Sequence, residues 1–168
     1  MRVQPATLPI LFIITFVVGC MPADYGVKHS YAYYRVVYPG NIPVRIPGVA
    51  RESVIDTTTS VYVETTRKAT PVWDTAWRKG IAYSVSTVPI TEDSVNVGIS
   101  KATSQPVFIK PKQGNRLWLV SLGDKITGTV RLDEQQNTTG MILGGSYRNK
   151  RITVAIPNTF ELQPQRRP

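Results

Sequence analysis

Apolar and polar residues alternate with a period of two through most of this chain, in short runs separated by Gly, Pro and Asn roughly every ten residues. Successive side chains of a strand point to opposite faces, so this pattern gives each run one buried and one outward face. YAYYRVVYPG (31–40) reads as a strand ended by Pro39-Gly40, and TTTSVYVETT (57–66) as a second, with Val61 and Val63 opposed to Tyr62 and Glu64. IAYSVSTV, SVNVGIS and PVFIK continue the series. RLWLVSLGDKITGTVRL predicts a hairpin turning at Gly123-Asp124, and MILGGSYRNKRITVAI a second turning at Arg148-Asn149-Lys150, where Asn149 tolerates a left-handed backbone. NIPVRIPG (41–48) is too rich in proline for a central strand, and the prolines at 43, 47, 89 and 106 suit sheet edges.

One stretch changes period. TPVWDTAWRKG carries Thr70 as an N-cap, Pro71 at a first helical position, Arg78 and Lys79 in a last turn and Gly80 as a stop, which predicts one short helix at about 71–79 with Trp73 and Trp77 on one face. These elements together predict a mainly β domain, a small sandwich or partly open barrel with one short helix. The 25 Gly and Pro residues, 12 and 13 respectively, agree with a turn-rich chain rather than a helical bundle.

The chain begins differently. Arg2 precedes an uncharged apolar run from Leu8 to Val18, about half the roughly 20 residues a membrane-spanning helix needs. That is the size of the apolar segment of a signal peptide. The run ends in Val17-Val18-Gly19-Cys20, where Cys20 is the sole cysteine. This segment resembles the lipobox of bacterial lipoprotein precursors, and the resemblance is confined to it. It implies cleavage between Gly19 and Cys20 and diacylglyceryl transfer to the Cys20 thiol. Met21 stands where Asp often retains such proteins in the inner membrane, so the resemblance also implies an outer-membrane address facing the periplasm. The expected organisation is a signal peptide (1–19), a lipidated tether (20–30) that includes His29, a basic β-rich domain (31–163) and a frayed tail (164–168).

Composition narrows the chemistry. A single cysteine leaves no internal disulfide and no thiolate metal cage. His29 is the only histidine, and no G-x-S-x-G elbow accompanies it, so a serine triad has no base in reach. Gly144-Gly145-Ser146 lacks the Gly-Lys-Ser/Thr of a phosphate loop. Glu92-Asp93 and Asp133-Glu134 fall in turns and lack the alternate spacing of a calcium loop. The chain carries net charge +9, or +8 without the segment before Cys20, and such a surface attracts anions.

The candidate sites are therefore binding sites. Trp118 with Arg116 has the composition of an interface hot spot. Arg148, Lys150 and Arg151 at a hairpin tip suit anionic lipid, lipopolysaccharide or glycan, with nucleic acid the least favoured partner. Tyr31, Tyr33, Tyr34 and Tyr38 suit a membrane interface or an ordinary edge strand. No cofactor and no metal is expected. The resulting expectation is a lipid-anchored, non-enzymatic binding or scaffold subunit of an envelope assembly of the secretion, conjugation or pilus type, bound to other envelope proteins. The alternatives are a carrier or sensor holding lipid or glycan in its interior, and a hydrolase using carboxylates such as Asp133 and Glu134.

Overall fold

The computed structural model describes residues 25–38, 56–127 and 140–166. Cys20 with the apolar segment before it, Pro43, Pro47, Asp133 and Glu134 lie outside the described residues. The described chain is mainly β, with strands β1 (Val27–Tyr38), β2 (Asp56–Thr66), β3 (Val72–Arg78), β4 (Ile81–Ile90), β5 (Val95–Ile99), β6 (Pro106–Ile109), β7 (Asn115–Lys125), β8 (Met141–Tyr147), β9 (Lys150–Ile156), β10 (Thr159–Glu161) and β11 (Gln165–Arg166). The main sheet has the order β10-β1-β2-β7-β4-β3-β8-β9, with β11 also on β1, and β5-β6 forms a separate hairpin.

The main sheet is curled. Ala32 of β1 and Ile152 and Ile156 of β9 share one buried cluster, although six strand intervals separate β1 from β9 along the sheet. In a flat sheet at about 4.8 Å per interval they would lie about 29 Å apart. Curling brings the two walls together, and Val61, Val63, Trp73, Ala76, Val120, Met141 and Leu143 fill the space between them. Arg78 on β3 reaches across the same interior, its guanidinium 5.0 Å from the Tyr34 ring and its Nη1 donating to Thr59 Oγ1 at 3.0 Å. Breaks in register at Val27/His29, Trp73/Thr75 and Tyr83/Val85 supply local bends. Only Pro157 and Asn158 separate β9 from β10, so one nearly continuous segment pairs first with β8 and then, in parallel, with β1. This segment joins the two walls into a partly open barrel.

The expected helix at 71–79 is a strand. β3 pairs on one edge with β4 and on the other with β8, and its Val, Thr and Trp residues favour that pleated environment. The residues read as helix punctuation serve a hairpin instead. Arg78 pairs directly with Ile81, and the two-residue turn between them has positive φ at both Lys79 (51°) and Gly80 (72°), the geometry that matches strand twist. The register shift at Asp74 also separates the tryptophans. Trp73 and Ala76 enter the core, whereas Trp77 faces the other way. Adjacent glycines make room on both faces: a Cβ at Gly144 would lie 2.6 Å from the Trp77 ring, and one at Gly145 would strike the Val72 carbonyl and approach Trp73.

Three further expectations need correction. β1 begins at Val27, so His29 sits in a strand, stacked on Tyr31, and the tether does not extend to residue 30. Gly123-Asp124 is no turn, because β7 is gripped by β2 and β4 and runs through it; Gly123 instead passes close to Ser84, 2.7 Å from where its Cβ would stand. Part of the tail is held as well, with Gln165 and Arg166 paired to Val37 and Tyr38, and residues 167–168 lie outside the described residues. The second hairpin turns where the sequence predicts: Tyr147 pairs with Lys150, and Arg148 and Asn149 between them have φ of 50° and 60°. Pro89 lies beyond the β4 residues paired to β3, on a locally free edge.

Candidate functional site

Outside the barrel a second layer covers β1 and β2. Tyr33, Tyr62, Val97, Ile109, Leu117 and Leu162 form its buried cluster, because residues that alternate with the barrel-facing Ala32, Val61 and Val63 must point outward. The β5-β6 hairpin and the segment around Leu162 lie over them. Lys101 Nζ, 2.6 Å from Glu161 Oε1, ties the end of this hairpin to β10. That hydrogen bond holds the Glu161 carboxyl below its ordinary value and the Lys101 amine above its own.

Between these layers is a cleft of about 30 Å³ lined by Tyr33, Tyr34, Arg35, Thr58, Ser60, Tyr62, Val97 and Leu162. Arg35 pins its edge, donating through Nη2 to the Val97 carbonyl and through Nη1 to Gln165 Oε1 at 2.9 Å. Gly98 permits this approach: its φ is +135°, and a Cβ there would lie 2.7 Å from Arg35 Nη2. The Tyr33 ring packs on Tyr62 at 5.9 Å and on Phe160 at 5.8 Å. A space this small admits a water or a single polar group, far short of the roughly 300 Å³ at which ordinary small-molecule sites begin.

Burial pushes the Tyr33 phenol above its ordinary pKa of 10.0, helped by Tyr31 and Tyr62. Burial also raises Tyr62, with Arg35 opposing. Both phenols thus stay neutral to higher pH in the folded chain than in the unfolded one. Their stabilising contribution is complete below pH 10 and is lost as pH rises from there through the higher folded values. A spectrophotometric titration should show a late class of tyrosines, and a Tyr33→Phe, Tyr62→Phe variant should lose less stability in alkali than the parent. Ionisation of all tyrosines together at the ordinary value would contradict this placement.

The residues singled out in the sequence are dispersed. Trp118 is half-buried and packs on the barrel core. Its Nε1 donates to Thr65 Oγ1 at 2.9 Å, and the Thr65 hydroxyl donates in turn to the Ala69 carbonyl at 3.1 Å. Arg116 is exposed, opposite Thr65 in register. Arg148 lies over the Tyr147 ring at 5.1 Å, and Arg151 makes a two-pronged pair with Asp74 at 2.5 and 3.0 Å. Lys150 is exposed beside them. The cleft residues Arg35, Ser60 and Tyr62 were not singled out; their alternation with Val36, Val61 and Val63 was the available signal, but nothing local says which layer will cover them.

Around the second layer lie large apolar side chains open to solvent: Phe108 on β6 at 60% exposure, Phe160 on β10 at 50%, Ile99 on β5 and Tyr38 on β1. Among the described residues no group of three or more His, Cys, Asp or Glu could hold a metal ion. No family model, curated protein or solved structure matches this chain.

Proposed function

We propose that the chain is an outer-membrane lipoprotein, anchored through Cys20 and facing the periplasm, whose β domain is a non-catalytic docking subunit of an envelope assembly. The observation that carries this reading is the outer surface of the second layer. Phe108, Phe160, Ile99 and Tyr38 are exposed on the hairpin and on the strands it borders, and aromatic side chains of this kind anchor protein interfaces. The barrel interior, by contrast, is filled by its own side chains, which favours docking over carriage of a lipid or glycan inside. The partner is a protein surface with apolar pockets, and the assembly is of the secretion, conjugation or pilus kind.

The test is extraction of the acylated full chain from host envelopes in mild detergent, followed by native mass spectrometry and cross-linking. Stoichiometric protein partners cross-linked near Phe108 and Phe160 are expected. A Phe108→Asp variant should lose partner occupancy by more than about tenfold, the equivalent of one interface hot spot, at unchanged melting temperature. Recovery of the chain with bound lipid or glycan and no protein partner would replace this reading with the carrier.

A further inference from the structure

The antiparallel main sheet sorts charge between its two ends. At one end β1 begins, β2 ends, β7 begins, β4 ends, β8 ends and β9 begins. The turns and strand termini there present Arg67, Lys68, Lys112, Arg116, Arg148 and Lys150, all exposed. Lys110, exposed at the end of β6, leads into the same loop.

The acids described at this end are Glu64, Asp74, Glu92 and Asp93. Glu64 is buried under hydrogen bonds from the Lys112 N–H and Asn115 Nδ2, and Asp74 is engaged by Arg151. Glu92 and Asp93 remain exposed against these seven cations and Lys28 at the start of β1. Among the described residues the opposite end carries Arg78, Lys79, Lys125 and Arg166 with Asp56 and Asp124. Among the described residues the exposed cations are therefore most numerous at the entry end.

The chain enters the domain at that same end. Val27 pairs with Thr65, Arg116 lies across the next ladder position, and the Gly26 carbonyl accepts the Thr66 N–H at 2.8 Å. Tyr25, against the barrel core, is five residues from Cys20, and five residues extend at most about 17 Å. A lipid on Cys20 thus keeps this end within about two Debye lengths of the bilayer at physiological ionic strength.

We infer that the cationic entry end of the barrel docks on anionic phospholipid headgroups of the bilayer that holds the anchor. The domain is then fixed with its barrel axis toward the membrane and the second layer turned sideways. The inference rests on the lipoprotein reading and adds to it an orientation and a lipid requirement. Phosphate oxygens are the recognised groups, met by arginine and lysine side chains and the N–H groups of the turns between them.

The test reconstitutes the acylated full chain into vesicles of phosphatidylcholine, with or without phosphatidylglycerol, and follows amide hydrogen exchange. With phosphatidylglycerol, exchange at 66–70, 112–116 and 148–150 should slow by about tenfold or more, while turn 79–80 at the far end is unchanged. Added salt should abolish the slowing in the unmutated chain. Arg67→Glu, Lys68→Glu and Arg116→Glu together should weaken docking on the order of a hundredfold or more. Equal exchange in the two vesicle types, or slowing spread over both ends, overturns the inference. The intact mass reports the anchor separately. Should Cys20 be unmodified, the lipoprotein reading fails, and flotation of the bare chain with the two vesicle types decides the docking: flotation with phosphatidylglycerol alone upholds it, and flotation with neither or with both equally overturns it.

Discussion

Replacing Trp73 by alanine is expected to cost about 3–5 kcal/mol of folding stability, a large share of the roughly 5–15 kcal/mol that holds a domain of this size. Trp73 is only 4% exposed and fills the space between the walls of the barrel with Val61, Val63, Met141 and Leu143. Its Nε1 is buried without a hydrogen-bond partner. Trp73→Phe should therefore lose much less than Trp73→Ala, because removing an unpaired N–H offsets part of the lost packing. Trp77, half-buried on the other face, supplies the control: Trp77→Ala should cost less than Trp73→Ala in chemical denaturation. An equal or larger loss at Trp77 would mean that the bulge at Asp74 does not reverse the faces.

The second large effect is expected at Glu64. Its Oε1 accepts the Lys112 N–H at 2.9 Å and Asn115 Nδ2 at 2.5 Å, and the side chain is almost wholly buried. Glu64→Ala strands two donors and leaves a void, at a cost of about 2–4 kcal/mol. Glu64→Gln keeps an acceptor oxygen of the same reach and should recover most of that loss. Hydrogen exchange should locate the difference, with amides at 112–116 exchanging faster in the alanine variant. The loop so loosened carries Lys112 and Arg116, so Glu64→Ala should also weaken the response to phosphatidylglycerol. Indistinguishable stability of the Ala and Gln variants would show that the two hydrogen bonds hold nothing.

Local chemistry was legible wherever one periodicity had no competitor. Val61, Tyr62 and Val63 sort to the faces their alternation predicts, as do Leu117, Trp118 and Leu119. The Arg148-Asn149 turn follows from a residue that tolerates positive φ between two alternating runs. At 71–79 the same reasoning had two solutions, since proline, lysine and glycine delimit a short helix and a hairpin strand equally well. The choice fell to β4 and β8, which are remote in sequence and complete a hydrogen-bond ladder on both edges of β3.

What the sequence by itself determined is the strand character of most runs, which side chains oppose which within a strand, the tight turn at Arg148-Asn149 and the excess of positive charge. These depend on neighbours one or two residues away and on composition. The tertiary structure alone decided that 72–78 is a strand, that Gly123 lies inside one, that Arg35 clamps two layers, and that cations from Arg67 to Lys150 gather where the chain enters. Each of those outcomes depends on strand order and sheet curvature, which arise from contacts between segments tens of residues apart and leave no local periodicity to read.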